Sequence, residues 1–281
     1  MPRSFAFTLD LESDYASLTP TVRNRILERP DRVRPVLQAF SDKGARGTAY
    51  VVGQVIERYP AIIDLFEEFK WEFELHSYSH DTSKPDSAEE LELGRQAFFR
   101  RFGRHPIGYR APQGRITREG IARLAALGFR YDASIFASYF PHPIRNLATP
   151  RTIHFWDIDE KTRMLEIPFT SVSPARLTLS TSYMKLMGPA FYRAIRAVFG
   201  FPEVICFDSH LHDFVVEEDS YAELSPFWRF IYGRNKYKGV SITTDLFDLV
   251  KSHGYEMRYM SEVAEEAHAV AGNVARVGAA R

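Results

Sequence analysis

Two histidines, His76 and His80, stand four residues apart in the stretch Glu74-Leu75-His76-Ser77-Tyr78-Ser79-His80-Asp81. On a single helical turn that spacing puts both imidazoles on one side, within reach of one ion. Two acids, Asp10 and Glu12, follow the first apolar run, Phe5-Ala6-Phe7-Thr8-Leu9. Side chains two apart in extended chain point the same way, so both carboxylates can face one site. Two histidines and one carboxylate give a divalent ion three protein ligands and leave positions open for water and substrate. That is the catalytic rather than the structural pattern for zinc. Such an ion polarises a carbonyl and lowers the pKa of bound water to roughly 7. Each cluster also has a plainer reading, as a hydrogen-bonded histidine pair and as a solvated acidic loop of Asp10, Glu12 and Asp14.

The elements between these residues alternate in type. Phe5 to Leu9 reads as a strand ending at Asp10. Pro30 to Lys43 reads as a helix, with Val33, Val36, Leu37 and Phe40 at helical spacing and Gly44 as its stop. A strand over Gly47 to Gly53, a helix over Ile56 to Phe69 and a strand over Phe73 to Leu75 then deliver His76. Ser87 opens a helix to Phe102, with acids in its first turn and basic residues in its last, as the helix dipole favours. Strands follow at Ile107 to Arg110, Phe129 to Asp132, Leu165 to Pro168 and Val204 to Phe207. Helices are predicted from Thr117 to Leu127, around Pro189 to Ile195 within residues 174–200, and from Thr243 to Ser252. Repeated strand–helix units predict a parallel α/β barrel, with chemistry at the C-terminal ends of the strands. Asp10, His76, Arg110, Asp132 and His210 all fall at such ends. Seven strands and eight fit the periodicity equally well. Past Ala264 the composition turns to Ala, Val, Gly and Arg, which predicts a barrel domain over residues 1–265 and a frayed tail over 266–281.

Composition narrows the function classes. Lys plus Arg balance Asp plus Glu at 36 each, so no global field recruits nucleic acid or an anionic membrane. The one cysteine, Cys206, lies in the apolar run Val204-Ile205-Cys206-Phe207; it cannot form an intramolecular disulfide and reads as a small buried hydrophobe. No window approaches the ~18 apolar residues of a membrane span, and no apolar leader precedes the first strand. These features lead us to expect a cytoplasmic protein.

Asp10 and Glu12, the histidine pair, Arg110-Ala111-Pro112-Gln113-Gly114 and Ser209-His210-Leu211-His212-Asp213 come in an order and at intervals that resemble the polysaccharide deacetylase family, the NodB-type carbohydrate esterases. The resemblance covers roughly residues 4–265 and implies a distorted TIM-like (β/α)7 barrel in a single domain. It also implies a metal-dependent carbohydrate N-deacetylase with Glu12, His76 and His80 as ligands, most simply of Zn2+. The family's first motif has adjacent Asp-Asp; here the second acid is displaced by one and lengthened to Glu12, which leaves Asp14 as an alternative ligand. By the same resemblance Asp10 is the general base, and Arg110 keeps it ionised by charge pairing. A histidine after the last strand is the acid that protonates the departing amine. His210 is favoured for this by its spacing to Asp213, with His212 as the alternative. Asp132, in Tyr131-Asp132-Ala133-Ser134, resembles the fourth motif and is expected to tune that histidine. Gln113 stands where the family usually has an aromatic, and the tryptophan often found after the fourth motif is absent, with Phe136 nearest. Phe227-Trp228-Arg229 and Tyr232-Gly233-Arg234 read equally as a substrate groove or a packed loop.

The partner implied is a saccharide or glycoconjugate carrying an N-acetylated amino sugar. Two other readings remain open at this point: hydrolysis of a cyclic amide such as allantoin or an imide on the same fold, and a carbohydrate-binding barrel without catalysis.

Overall fold

The computed structural model describes residues 2–15, 19–23, 25–138 and 149–279. Its first apolar run extends into an eight-residue strand, β1 (Ser4–Leu11), every residue of which is buried. Parallel neighbours follow as β2 (Gly47–Val51), β3 (Glu72–Leu75), β4 (Gly108–Tyr109), β5 (Tyr131–Asp132), β6 (Arg163–Glu166) and β7 (Val204–Phe207). They lie in the order β7-β1-β2-β3-β4-β5-β6, all parallel. The sheet curls until the segment after β6 meets β7. There Thr170 donates its backbone N–H to the Cys206 carbonyl at 3.1 Å, and its hydroxyl accepts from the Cys206 N–H at 2.8 Å. The result is the curled α/β sheet of a distorted seven-stranded barrel. Short strands that were not foreseen join this sheet as well: His154–Asp157 pairs antiparallel on the outer edge of β6, and Glu256–Met257 pairs parallel with the start of β1.

Strand alternation sorts the core into two layers. Phe5, Phe7 and Leu9 point outward, where Phe7 meets Phe40 and Phe247 edge-on at 5.2 and 5.0 Å. Ala6, Tyr50, Tyr131 and Cys206 fill the interior. Gly108 makes that filling possible, because a Cβ there would lie 2.2 Å from the Tyr131 ring. Polar residues that continue the inward series therefore emerge inside the barrel mouth. Asp10 follows Ala6 and Thr8, Arg110 follows Gly108, and Asp208 follows Cys206.

The helices Pro30–Asp42, Ala88–Phe102 and Arg118–Ala126 form where their periodicity predicts. Ser87 and Thr117 cap the latter two, accepting from the backbone N–H groups of Glu90 and Gly120. The helix expected over Ile56 to Phe69 is two, Gly53–Arg58 and Pro60–Glu68, because Pro60 cannot donate to the first and starts the second. Similarly, Gly188 at φ 91° separates Thr181–Met187 from Pro189–Phe199. The stretch past Ala264 is helical among the described residues. The helix Met260–Ala279 continues through it, with Ala264 and Ala267 packed on the interior layer and His268 against the Phe155 ring and the Arg130 carbonyl.

Candidate metal centre and active site

The two histidines share no helical turn. His76 leaves the end of β3, and the following loop takes left-handed backbone at Ser77 (φ 59°) and His80 (φ 63°), which no helix permits. Neighbouring elements hold this loop. The N–H groups of Gly53 and Gln54 donate to the carbonyls of Ser77 and Tyr78 at 3.0 and 2.9 Å. From the helix Ala88–Phe102, the Glu90 carboxylate accepts from the Tyr78 and Ser79 N–H groups and the Ser79 hydroxyl, at 3.1, 2.8 and 2.6 Å. The imidazoles thus converge, with ring centroids 5.1 Å apart, by loop anchoring rather than helical register.

Asp10 and Glu12 face this pair. The Glu12 Oε2 lies 2.7 Å from His80 Nε2 and 3.6 Å from His76 Nε2, and Asp10 Oδ2 is 3.7 Å from the same His76 nitrogen. One ligand atom from each of Glu12, His76 and His80 falls within 4.8 Å of the others, all three residues being buried. Among the described residues this set can hold a metal ion, and its chemistry fits one. The Nδ1–H of His76 donates to the Arg110 carbonyl at 2.7 Å, which fixes the tautomer and turns the Nε2 lone pair toward Glu12. Burial works against charge on Glu12, but His80, His210 and His76 outweigh it and hold the carboxyl well below its usual range. The side chain of Asp14 lies outside the described residues.

Arg110 crosses the barrel interior fully buried, its guanidinium 4.0 Å from the Tyr50 ring centroid and 4.3 Å from that of Phe169. Its Nη1 donates to Asp10 at 2.7 Å, Asp208 at 3.0 Å and the Thr8 hydroxyl at 3.0 Å. Burial opposes its charge, but Asp10 and Asp208 more than compensate and raise its pKa further. Arg110 is therefore a fixed cation that orients Asp10.

His210 sits opposite, bridged to Asp10 along the β1–β7 seam, with Nε2 3.9 Å from Asp10 and 3.6 Å from Glu12. Burial pulls its pKa down, yet Asp208, Glu12, Asp10 and Asp213 together push it up to about 9. Its ring is 19 % exposed, so it remains open to the barrel mouth. His212 turns away, its ring edge-on to Tyr232 at 5.4 Å, and burial drives its pKa down to about 3.

One of the expected placements changes. Asp132 does not approach His210. It lies between inward Tyr131 and inward Ala133, so alternation turns it outward, where it accepts from the Ser134 hydroxyl at 2.5 Å and stands beside Glu166 across the ladder. Burial raises both carboxyls, and the charge of Asp132 raises Glu166 further. The acid beside His210 is instead Asp208, 3.8 Å from His210 Nδ1, which the sequence reading missed. Burial and the charge of Asp10 push Asp208 up to about 7 against the pull of His210 and Arg110. Its signal was available, since Asp208 and His210 are two apart at a strand end, like Asp10 and Glu12.

Asp213 serves the His210 backbone rather than its ring. It accepts from the His210 N–H at 3.1 Å and from the Ser182 hydroxyl at 2.8 Å, and lies 3.4 Å from the buried Lys185 ammonium. Asp213→Ala is expected to cost about 3–5 kcal/mol in denaturant unfolding, because it leaves a buried cation unpaired. A loss under about 1 kcal/mol would show that Lys185 reaches water.

A comparison of sequences finds the polysaccharide deacetylase family over residues 19–131, a span that includes His76, His80 and Arg110 but not Asp10, Glu12, Asp208 or His210. No curated protein matches the sequence. In fold, the chain is similar to a candidate polysaccharide deacetylase from Mycobacterium smegmatis (TM-score 0.60, 19% identity, 95% of this chain and 90% of that one). Puue allantoinase is as near (TM-score 0.60, 14% identity, 95% and 90%). A second candidate deacetylase, from Pseudomonas aeruginosa PAO1, follows (TM-score 0.59, 15% identity, 94% and 90%). By sequence over residues 19–131, and by fold over nearly its whole length, the chain resembles the polysaccharide deacetylase family.

Proposed function

We propose that the protein is a metal-dependent N-deacetylase. Its substrate would be an N-acetylated amino sugar in a polysaccharide, an oligosaccharide or a cytoplasmic glycoconjugate precursor. The observation that carries this reading is the convergence of three candidate ligands with a charge-paired carboxylate and a third histidine, His210, at one barrel mouth. Glu12, His76 and His80 would hold the ion, with Zn2+ favoured by the two-imidazole, one-carboxylate donor set. When bound, the ion supplies Lewis acidity to the acetamide carbonyl and to the attacking water. Asp10, kept ionised by Arg110, accepts the proton of that water as its oxygen adds to the carbonyl carbon. His210 then gives its proton to the sugar nitrogen as the C–N bond breaks, so that acetate and a free amine leave. Asp208 holds Arg110 and faces the far nitrogen of His210, so it positions both groups.

Metal analysis is expected to find one zinc per chain, lost on His80→Ala, and a zinc-soaked structure should show Zn–N distances near ~2.0–2.1 Å to His76 and His80. An ion bound away from both histidines would overturn the assignment. The zinc-loaded protein should release acetate from N-acetylated saccharides.

The match to allantoinase in fold supports a second reading, opening of a cyclic amide by the same groups. Turnover of a cyclic amide with no acetate from any acetylated sugar would favour it. A metal-replete protein inert toward both would leave only the non-catalytic barrel.

A further inference from the structure

A cavity of about 290 Å³ lies beside the catalytic mouth, between the helices Thr181–Met187 and Pro226–Gly233. Its walls are Tyr183, Leu186, Phe227, Trp228, Ile231 and Tyr232. The polar groups at its floor already serve one another, since the Ser182 hydroxyl and the Lys185 ammonium both donate to Asp213. A ligand there gains apolar contact and almost no hydrogen bonding. A sugar ring, ringed with hydroxyls, would lose its hydrogen bonds to water without replacement. An alkyl chain loses nothing.

The cavity also connects to the chemistry. From His210 a line of rings runs through His212 and Tyr232 to Trp228, with successive centroids 5.0, 5.4 and 5.9 Å apart. Asp213, whose carboxylate anchors the His210 backbone, forms part of the cavity wall. The rim is apolar as well. Phe227, which lines the cavity, and Phe230, on the same helix, are 63 % and 66 % exposed. Arg229, Arg234 and Lys238 are exposed nearby, and no acid interrupts residues 226–238. Exposed aromatics interleaved with basic residues suit a lipid carrying an anionic linkage better than a free oligosaccharide.

We propose that this cavity binds an alkyl or acyl chain of the substrate, which makes the substrate a lipid-linked N-acetylated amino sugar. This rests on the N-deacetylase reading and narrows it. The test compares octyl and methyl N-acetyl-β-D-glucosaminide, below the micelle concentration of the former, with the zinc-loaded full chain. The octyl glycoside is expected to show a kcat/KM at least ~10-fold higher, since a few buried methylenes suffice for that gain. Ile231→Asp should bring the octyl value down to the methyl value, and Trp228→Ala serves if the first variant melts early. Equal kcat/KM for the two glycosides, or an octyl advantage that survives in a folded Ile231→Asp protein, would overturn the proposal. If neither glycoside releases acetate, the N-deacetylase reading falls instead. Calorimetry then decides the cavity alone: octyl binding that Ile231→Asp abolishes sustains an alkyl site, and no octyl binding removes it.

Discussion

Asp10→Asn is expected to keep the metal and to lower kcat by ~10²–10⁴-fold, the usual contribution of a general base. The substitution is nearly isosteric, and its amide cannot accept a proton. Arg110 keeps a charged partner in Asp208 at 3.0 Å and the Thr8 hydroxyl at 3.0 Å, so the guanidinium should not be released. Glu12, His76 and His80 are untouched, and metal content measured on the same sample should match the parent. A structural role for Asp10 makes the opposite forecast. Loss of a buried charge partner would then appear as lowered stability, with turnover per folded, metal-replete molecule unchanged. That result would move the base function elsewhere, with Asp208 the next carboxylate on the same guanidinium.

What could be read in the sequence was whatever strand alternation or helical spacing controls. Asp10 and Glu12 were correctly placed on one face because a single strand carries them in extended chain. Asp132 was misplaced for the same physical reason. Its two-residue strand has apolar neighbours on both sides, so the pattern gave no parity, and the pairing with Tyr109 on β4 that turns it outward is a tertiary fact. The two histidines do converge, but not by the geometry their spacing suggested. Spacing of four suggested a helix, whereas two left-handed residues and the distant Glu90 shape the loop that joins them. No local pattern links Glu90 to Ser79.

His210→Ala and His212→Ala should separate cleanly, because the two rings lie 5.0 Å apart in opposite environments. His210 reaches the barrel mouth, faces Asp10 and Glu12, and carries its proton at neutral pH because its pKa is pushed up to about 9. His212 is only 3 % exposed, sits against Tyr232, and with a pKa near 3 stays neutral throughout the range in which the enzyme would work. A group that holds no proton at pH 7 cannot donate one to a departing amine. Loss of His210 should therefore lower kcat on an N-acetyl sugar by ~10²–10⁴-fold, the range for a general acid. An activated aryl acetate should be much less affected, because its phenolate leaves unprotonated. His212→Ala should spare the amide-to-ester ratio and lower stability instead, by roughly 1–3 kcal/mol for a packed side chain removed from beneath the site. An amide-selective defect at His212 would mean that the acid lies two residues beyond the end assigned to it. Equal small losses at both positions would remove proton donation by this strand from the mechanism, and with it the reason for gathering Asp208 and Asp213 around His210.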